Sequence, residues 1–270
     1  MKRLASLLVF VMLFGMFTTS VFGAHHEEAK VRIVHASPDA PAVDIVVNGE
    51  TVVENAGFQA ATGYLMLPAG EHEVQLFVAG TVADGSPVLT QTLAVEAGKA
   101  YTVAAVNTVA NLELLVMNDE TMTTAGKTKI RVAHLSPDAP AVDVAVTGGD
   151  VVFANAPFKS VTNYLELDPA TLDLEVRVAG TEDVVLSLPG TELKADTLYT
   201  VLAVGFAGGE PALTVLPLAD PAHQAVPTEM PATGFGGASQ DYTMLWVFAA
   251  IMIGAAGTLV FFRKTKAVSR

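Results

Sequence analysis

The stretch VHASPDAPAVDIVVNG, beginning at Val34, returns as AHLSPDAPAVDVAVTG at Ala133. The two lines match beyond the signature. Arg32, His35 and Asp44 recur 99 positions later as Arg131, His134 and Asp143. Phe58, Tyr64 and Gly80-Thr81 recur 100 later as Phe158, Tyr164 and Gly180-Thr181, which puts a one-residue insertion near Gly148-Gly149. Tyr101-Thr102-Val103 returns as Tyr199-Thr200-Val201. A correspondence this long is a duplicated domain, because solenoid repeats run roughly 20–50 residues. The copies fall at 24–118 and 129–220, joined by a polar connection at 119–128. That connection predicts that each copy folds by itself.

Each copy reads as β throughout. KVRIVHA, AVDIVVNG, TVVENA, GYLMLPAG, HEVQLFVAGT, PVLTQTLAVEAG, AYTVAAVN and LELLVMN are short, rich in Val, Leu and Thr, and separated by turn residues. Asn48-Gly49 suits a two-residue hairpin, since both positions tolerate positive φ. The spacing predicts an all-β chain of two tandem immunoglobulin-like antiparallel β-sandwich domains. VEAGKAYTV and LKADTLYTV place a tyrosine, Tyr101 or Tyr199, at the start of a late strand. Such a tyrosine either ties its hydroxyl to the backbone upstream, as in a tyrosine corner, or is an ordinary half-buried strand residue.

The signature H-x-S-P-D-A-P-A-V-D reads first as a structural clamp. Pro38 and Pro137 fix φ, and Ser37, Asp39, Ser136 and Asp138 can accept bonds from nearby backbone N–H groups. Arg32 and Asp44 both alternate out of phase with Ile33 and Val43, so they are expected to share a surface and pair across strands, as are Arg131 and Asp143. His35 and His134 point toward a core or its margin. The alternative is chemical: a secreted metal-dependent or hydrolytic enzyme using the His/Asp pairs. Each copy supplies one signature histidine where a tetrahedral site needs about four ligands. Ser37 stands only two residues from His35, and no G-x-S-x-G, H-E-x-x-H or phosphate-binding glycine loop occurs. No enzyme and no cofactor is expected. The signature, present twice, resembles the domain-of-unknown-function family 4397. The resemblance covers roughly 30–117 and 129–218 and implies secreted β-sandwiches without an assigned activity.

The ends say where such domains would sit. Residues 1–23 have the layout of a secretory signal peptide: Lys2 and Arg3, an apolar run from Leu4 to Phe17, then small and polar residues. Tyr242 to Phe262 is uncharged and long enough to span a bilayer, and the basic tail at 263–270 would stay inside. Everything between would lie outside the membrane, at the cell surface. The 221–241 stretch is a Pro/Gly-rich linker. Within it Met230-Pro231-Ala232-Thr233-Gly234, then the span and basic tail, resembles a cell-wall sorting signal of the LPxTG type, with Met230 where leucine is usual. That resemblance implies a sortase cutting after Thr233 and transfer to peptidoglycan.

All 28 Asp and Glu lie between the two apolar runs, against nine of the 15 Lys and Arg. So acidic a segment repels nucleic acid and anionic lipid. With no cysteine, disulfides are excluded. The expected role is a structural or binding module of the bacterial envelope: a spacer, an adhesin or a receptor for an extracellular ligand.

Overall fold

The structure, a computed structural model, describes residues 28–224. The expected signal peptide, sorting-like motif, span and basic tail lie outside the described residues. Among the described residues no helix is long and apolar enough to cross a membrane.

The first copy contains β1 (Glu28–His35), β2 (Val43–Val47), β3 (Glu50–Ala56), β4 (Leu65–Pro68), β5 (Gly70–Val78), β6 (Leu89–Val95), β7 (Ala100–Val106) and β8 (Glu113–Asp119). After the short β9 (Met122–Thr123), the second copy contains β10 (Thr128–His134), β11 (Val142–Val146), β12 (Val151–Ala156), β13 (Leu165–Leu167), β14 (Ala170–Val178), β15 (Val184–Leu193), β16 (Thr197–Val204) and β17 (Thr214–Pro221). A last strand, β18 (His223–Gln224), runs parallel to β9.

Each copy is a sandwich of two four-stranded sheets. The orders are β4-β1-β7-β8 over β3-β2-β5-β6, and β13-β10-β16-β17 over β12-β11-β14-β15. The all-β sandwich expectation holds. Its strand order differs in detail from antibody constant domains, which group ABED and CFG. Here the third strand lies beside the second, the fourth beside the first, and β1 and β10 pair in parallel with β7 and β16.

Alternation explains the layering. In β1, Val31 and Ile33 join the core of the first sandwich with Ile45, Leu76 and Val103. The opposite face of the same strand carries Arg32 and Val34. Val34, Ala36, Ala104, Val106 and Met117 pack in one cluster with Ala133, Leu135, Leu202, Val204 and Leu218 of the second copy. The β1 and β10 sheets thus meet face to face, and the body is four sheets deep. With both faces covered, all seven residues of β7 are buried, as expected for an inner sheet. Ala36, Ala104 and Ala133 let the sheets approach closely.

Residues of both copies thus share one cluster between the inner sheets, while each sandwich keeps a core of its own. The connection at 119–128 is tied down as well. Glu166 accepts bonds from Thr123 Oγ1, Thr124 N and Thr124 Oγ1.

Asn48-Gly49 turns the β2–β3 hairpin with φ of 52° and 85°, the two positive values a type I′ turn needs. In the second copy Val142 still faces Ala156 as Val43 faces Ala56, so the extra residue is absorbed in the turn after Val146. The hydroxyls of Tyr101 and Tyr199 accept the backbone N–H of Glu96 and Lys194, both at 3.1 Å. The tyrosine-corner reading is therefore the correct one in both copies.

Candidate functional site

The signature residues spread out to hold other segments. Asp44 accepts the N–H of Asn55 at 2.7 Å and of Gly80 at 2.7 Å. Asp143 repeats this with Asn155 at 2.6 Å and Gly180 at 2.9 Å. Asn55 and Asn155 have φ of 51° and 49°, at the irregular pairing of β3 and β12 with their neighbours. Each carboxylate therefore caps a bulge in one adjacent strand and the turn leaving the other. These two backbone N–H bonds hold the Asp143 carboxyl below the usual carboxylate range.

Asp39 and Asp138 pin a different place, the turn after the seventh strand. Asp39 accepts Val109 N at 2.8 Å. Asp138 accepts Ala207 N at 2.7 Å and Gly208 N at 3.0 Å. In spite of its partial desolvation, these bonds leave the Asp138 carboxyl below its ordinary value. Ser136 Oγ donates to Asp138 at 3.3 Å, whereas Ser37 Oγ is buried without a partner. Pro38 is buried and Pro137 half-buried.

His35 is 2% exposed and donates Nε2–H to the Pro41 carbonyl at 3.1 Å, closing its own loop. His134 is 1% exposed and meets the edge of the Phe158 ring, centroids 6.5 Å apart. Burial pushes both imidazoles below their ordinary pKa, so both are neutral at pH 7. No hydrogen bond joins His35 to Ser37 or His134 to Ser136, so no nucleophile–base pair forms in the signature. Among the described residues no group of three His, Asp or Glu side chains is placed to hold a metal.

The expected pairing of Arg32 with Asp44, and of Arg131 with Asp143, does not occur. Strand phase identifies the face but not the sheet. The arginines lie in the inner sheets and point at the other copy, whereas the aspartates lie in the outer sheets. Arg32 forks onto Asp220, Nη1 to Oδ1 at 3.0 Å and Nη2 to Oδ2 at 2.9 Å. Arg131 reaches Asp119 Oδ1 through Nη2, and the Asn118 carbonyl through Nη1 at 2.6 Å. Asp119 and Asp220 hold equivalent positions, facing Ala100 on β7 and Leu198 on β16. The copies are thus related by an approximate two-fold axis, with each arginine crossing to the other's aspartate.

The supporting shell repeats too. Arg32 Nε donates to Thr102 Oγ1 at 3.2 Å and Arg131 Nε to Thr200 Oγ1 at 3.0 Å. Each guanidinium lies 4.6 Å from a tyrosine ring centroid, Tyr64 or Tyr164, close enough for cation–π attraction. Tyr64 and Thr102 both donate to Asp119 Oδ2 at 2.7 Å. Burial, then the Asp119 charge, raises the Tyr64 hydroxyl far above its ordinary pKa, so it remains a donor. Sequence reasoning flagged both tyrosines and both threonines, Thr102 and Thr200, as repeated but missed Asp119 and Asp220. The available signal was an aspartate closing the last strand of each copy.

Two openings flank this cluster. The larger, about 470 Å³, has Lys99, Glu96, Asn118, Arg131, Asn163 and Tyr164 in its wall. Its counterpart is about 110 Å³, and the chain itself narrows it: His223 lies beside Lys30, Nζ to Nε2 3.4 Å. The strap formed by β9 and β18 breaks the two-fold relation and leaves one polar cleft open.

Residues 29–145 match a family model described as Domain of unknown function (DUF4397). The match covers the first copy and runs through the second signature. Among solved structures, the family-26 carbohydrate-binding module CBMbc of Eubacterium rectale Amy13K, in complex with maltoheptaose, is 13% identical. The alignment covers 69% of this chain and 95% of that one, with a TM-score of 0.23. A "putative cell adhesion protein" from Bacteroides eggerthii DSM 20697 is 11% identical over 73% and 97% of the two chains, TM-score 0.23. One of the same description from Bacteroides uniformis ATCC 8492 is 15% identical over 72% and 99%, TM-score 0.24. Likenesses at this level carry nothing about function. No curated protein matches the sequence.

Proposed function

We propose that both copies are domains of this family and that the chain is an exported surface protein, a non-catalytic structural and binding module of the bacterial envelope. In this reading residues 1–23 direct export, 242–262 hold the protein in the membrane, and a sortase cuts after Thr233 to join it to peptidoglycan. The two sandwiches act as one stiff block that presents the cleft beside Arg131 to an extracellular ligand.

The observation that carries the reading is how the signature uses its polar groups. Asp39, Asp44, Asp138 and Asp143 each accept backbone N–H bonds. His35 closes its own loop, and His134 is buried against Phe158. A hydrolytic centre needs such groups converging on one substrate; here they hold separate loops. The acidic surface fits a soluble ectodomain that avoids nucleic acid.

Fractionation of cells before and after wall digestion tests the anchoring. The reading expects release of a protein ending at Thr233 and carrying a peptidoglycan fragment, with Thr233→Ala retained uncut in the membrane. Intact wild-type protein found only in the membrane fraction would reduce the motif to an ordinary anchor. An array of envelope and host-surface molecules tests the binding role. Capture weakened by Lys99→Ala or Asn163→Ala supports it, and capture indifferent to both removes the cleft from it.

A further inference from the structure

The two sandwich cores are built from equivalent positions, yet they are not equally filled. The first has a residual space of about 10 Å³ and the second a cavity of about 130 Å³. The register identifies the cause. Leu93, opposite His72 on β5, becomes Thr191 opposite Leu172 on β14. Leu114, opposite Ala105, becomes Val215 opposite Ala203. Leu76, opposite Ile45, becomes Val176 opposite Val144. Other exchanges run the opposite way, among them Val31 to Ile130, Val53 to Phe153, Val74 to Leu174 and Val95 to Leu193, and the difference in volume is what remains.

The rim differs as well. In the first copy Gln91, opposite Val74, reaches across the open side of the sandwich and accepts the Leu114 N–H at 3.3 Å. That bond latches edge strand β6 to edge strand β8. The equivalent residue in the second copy, opposite Leu174, is Leu188, which has no acceptor to offer. The cavity wall includes Leu188 on β15 and Val215 and Pro217 on β17, and Pro217 is exposed. The cavity wall therefore reaches the rim on the side where the first copy is latched.

Eleven of the twelve wall residues are apolar, Thr191 being the exception. Such a space does not hold water, which needs two or more polar partners. A dry apolar cavity of about 150 Å³ in another protein takes up benzene. We infer that the second sandwich binds a small hydrocarbon molecule of about benzene size between its sheets, entering between β15 and β17. The first sandwich, latched and filled, does not.

The test uses the full chain with ¹³C-labelled Val, Leu and Ile methyls and benzene as the probe. The expected result is a saturable shift of methyls in Val176, Leu188, Val201 and Val215, with Leu76, Val103 and Leu114 unmoved. The double variant Thr191→Leu/Val215→Leu restores the residues of the first copy and should lose the saturable shift while melting at a higher temperature. Should that variant not fold, Leu188→Gln, which rebuilds the latch, should remove the shift by itself. No saturable shift in the wild-type chain, equal shifts in both copies, or shifts that survive filling or latching would overturn the inference.

Discussion

Arg32 and Asp220 are 188 residues apart, and they meet in a two-pronged ion pair at 3.0 and 2.9 Å. A guanidinium fork onto a carboxylate is both strong and geometrically selective. Arg131 reaches Asp119 with the copies exchanged, through one prong, its other amino group going to the Asn118 carbonyl, so the paired contacts fix two sandwiches face to face. The duplicated signature supplies the frame for this contact by holding the loops at each sheet's end.

Asp119 should matter more than Asp220. Its side chain is 1% exposed against 24% for Asp220, and it serves Arg131, Tyr64 and Thr102 together. Removing one member of a buried pair leaves a charge without a partner, at about 3–5 kcal/mol. Asp119→Ala should lose stability in that range by urea denaturation, and Asp220→Ala distinctly less. Equal losses would mean that burial does not rank the two sites.

Asp143→Ala should cost about 1–3 kcal/mol, because the N–H groups of Asn155 and Gly180 lose their acceptor. The loss should vanish in acid. A carboxyl depressed in the folded state adds stability above its unfolded pKa and loses it as pH falls through the folded value. Wild type and variant should therefore converge in stability below about pH 4, near the ordinary carboxylate value. A gap that stays constant down to pH 2 would assign the effect to packing.

His35 and His134 act in a higher window. Both are depressed by burial, so the unfolded chain takes up protons first as pH falls below about 6.5. Stability should decline from there toward pH 5, and the double variant His35→Gln/His134→Gln should show a shallower slope between the two. An unchanged slope would place the acid sensitivity elsewhere.

A fragment of residues 24–121 should not behave as a quiet monomer. It bares Val34, Ala36, Ala104, Val106 and Met117, which the second copy covers in the whole chain. Contiguous apolar patches of this kind drive association. Sedimentation should find the fragment self-associated at micromolar concentration, whereas the longer body of both copies is monomeric. A strictly monomeric, cooperatively folding fragment would show that the shared cluster is dispensable.

Much of this fold was legible. The duplication, the β-rich pattern, the Asn48-Gly49 hairpin and the two tyrosine corners all rest on local rules of turn chemistry and alternation. Arg32 shows where such rules stop. Alternation puts it opposite Val31 and Ile33, and an arginine on that face of a strand suggests solvent. Only the second copy, packed against that face, turns the site into an interior one. The cavity was hidden for a similar reason. Matching Leu93 to Thr191 requires the register of β15 on β14, which shifts between Leu172 and Leu174.

The central claim is that the copies are locked by reciprocal crossing pairs, and a double-mutant cycle on Arg32 and Asp220 tests it most directly. Arg32→Met, Asp220→Leu and the double variant would be compared by urea denaturation of the chain with both copies. Arg32→Met alone leaves the Asp220 charge at the interface, and Asp220→Leu alone leaves the guanidinium buried, so each single change should be costly. The double variant should lose far less than their sum, with a coupling of about 0.5–3 kcal/mol, the range found for residues in contact. Strictly additive losses would contradict the account, because residues that do not meet across an interface have no coupling to lose.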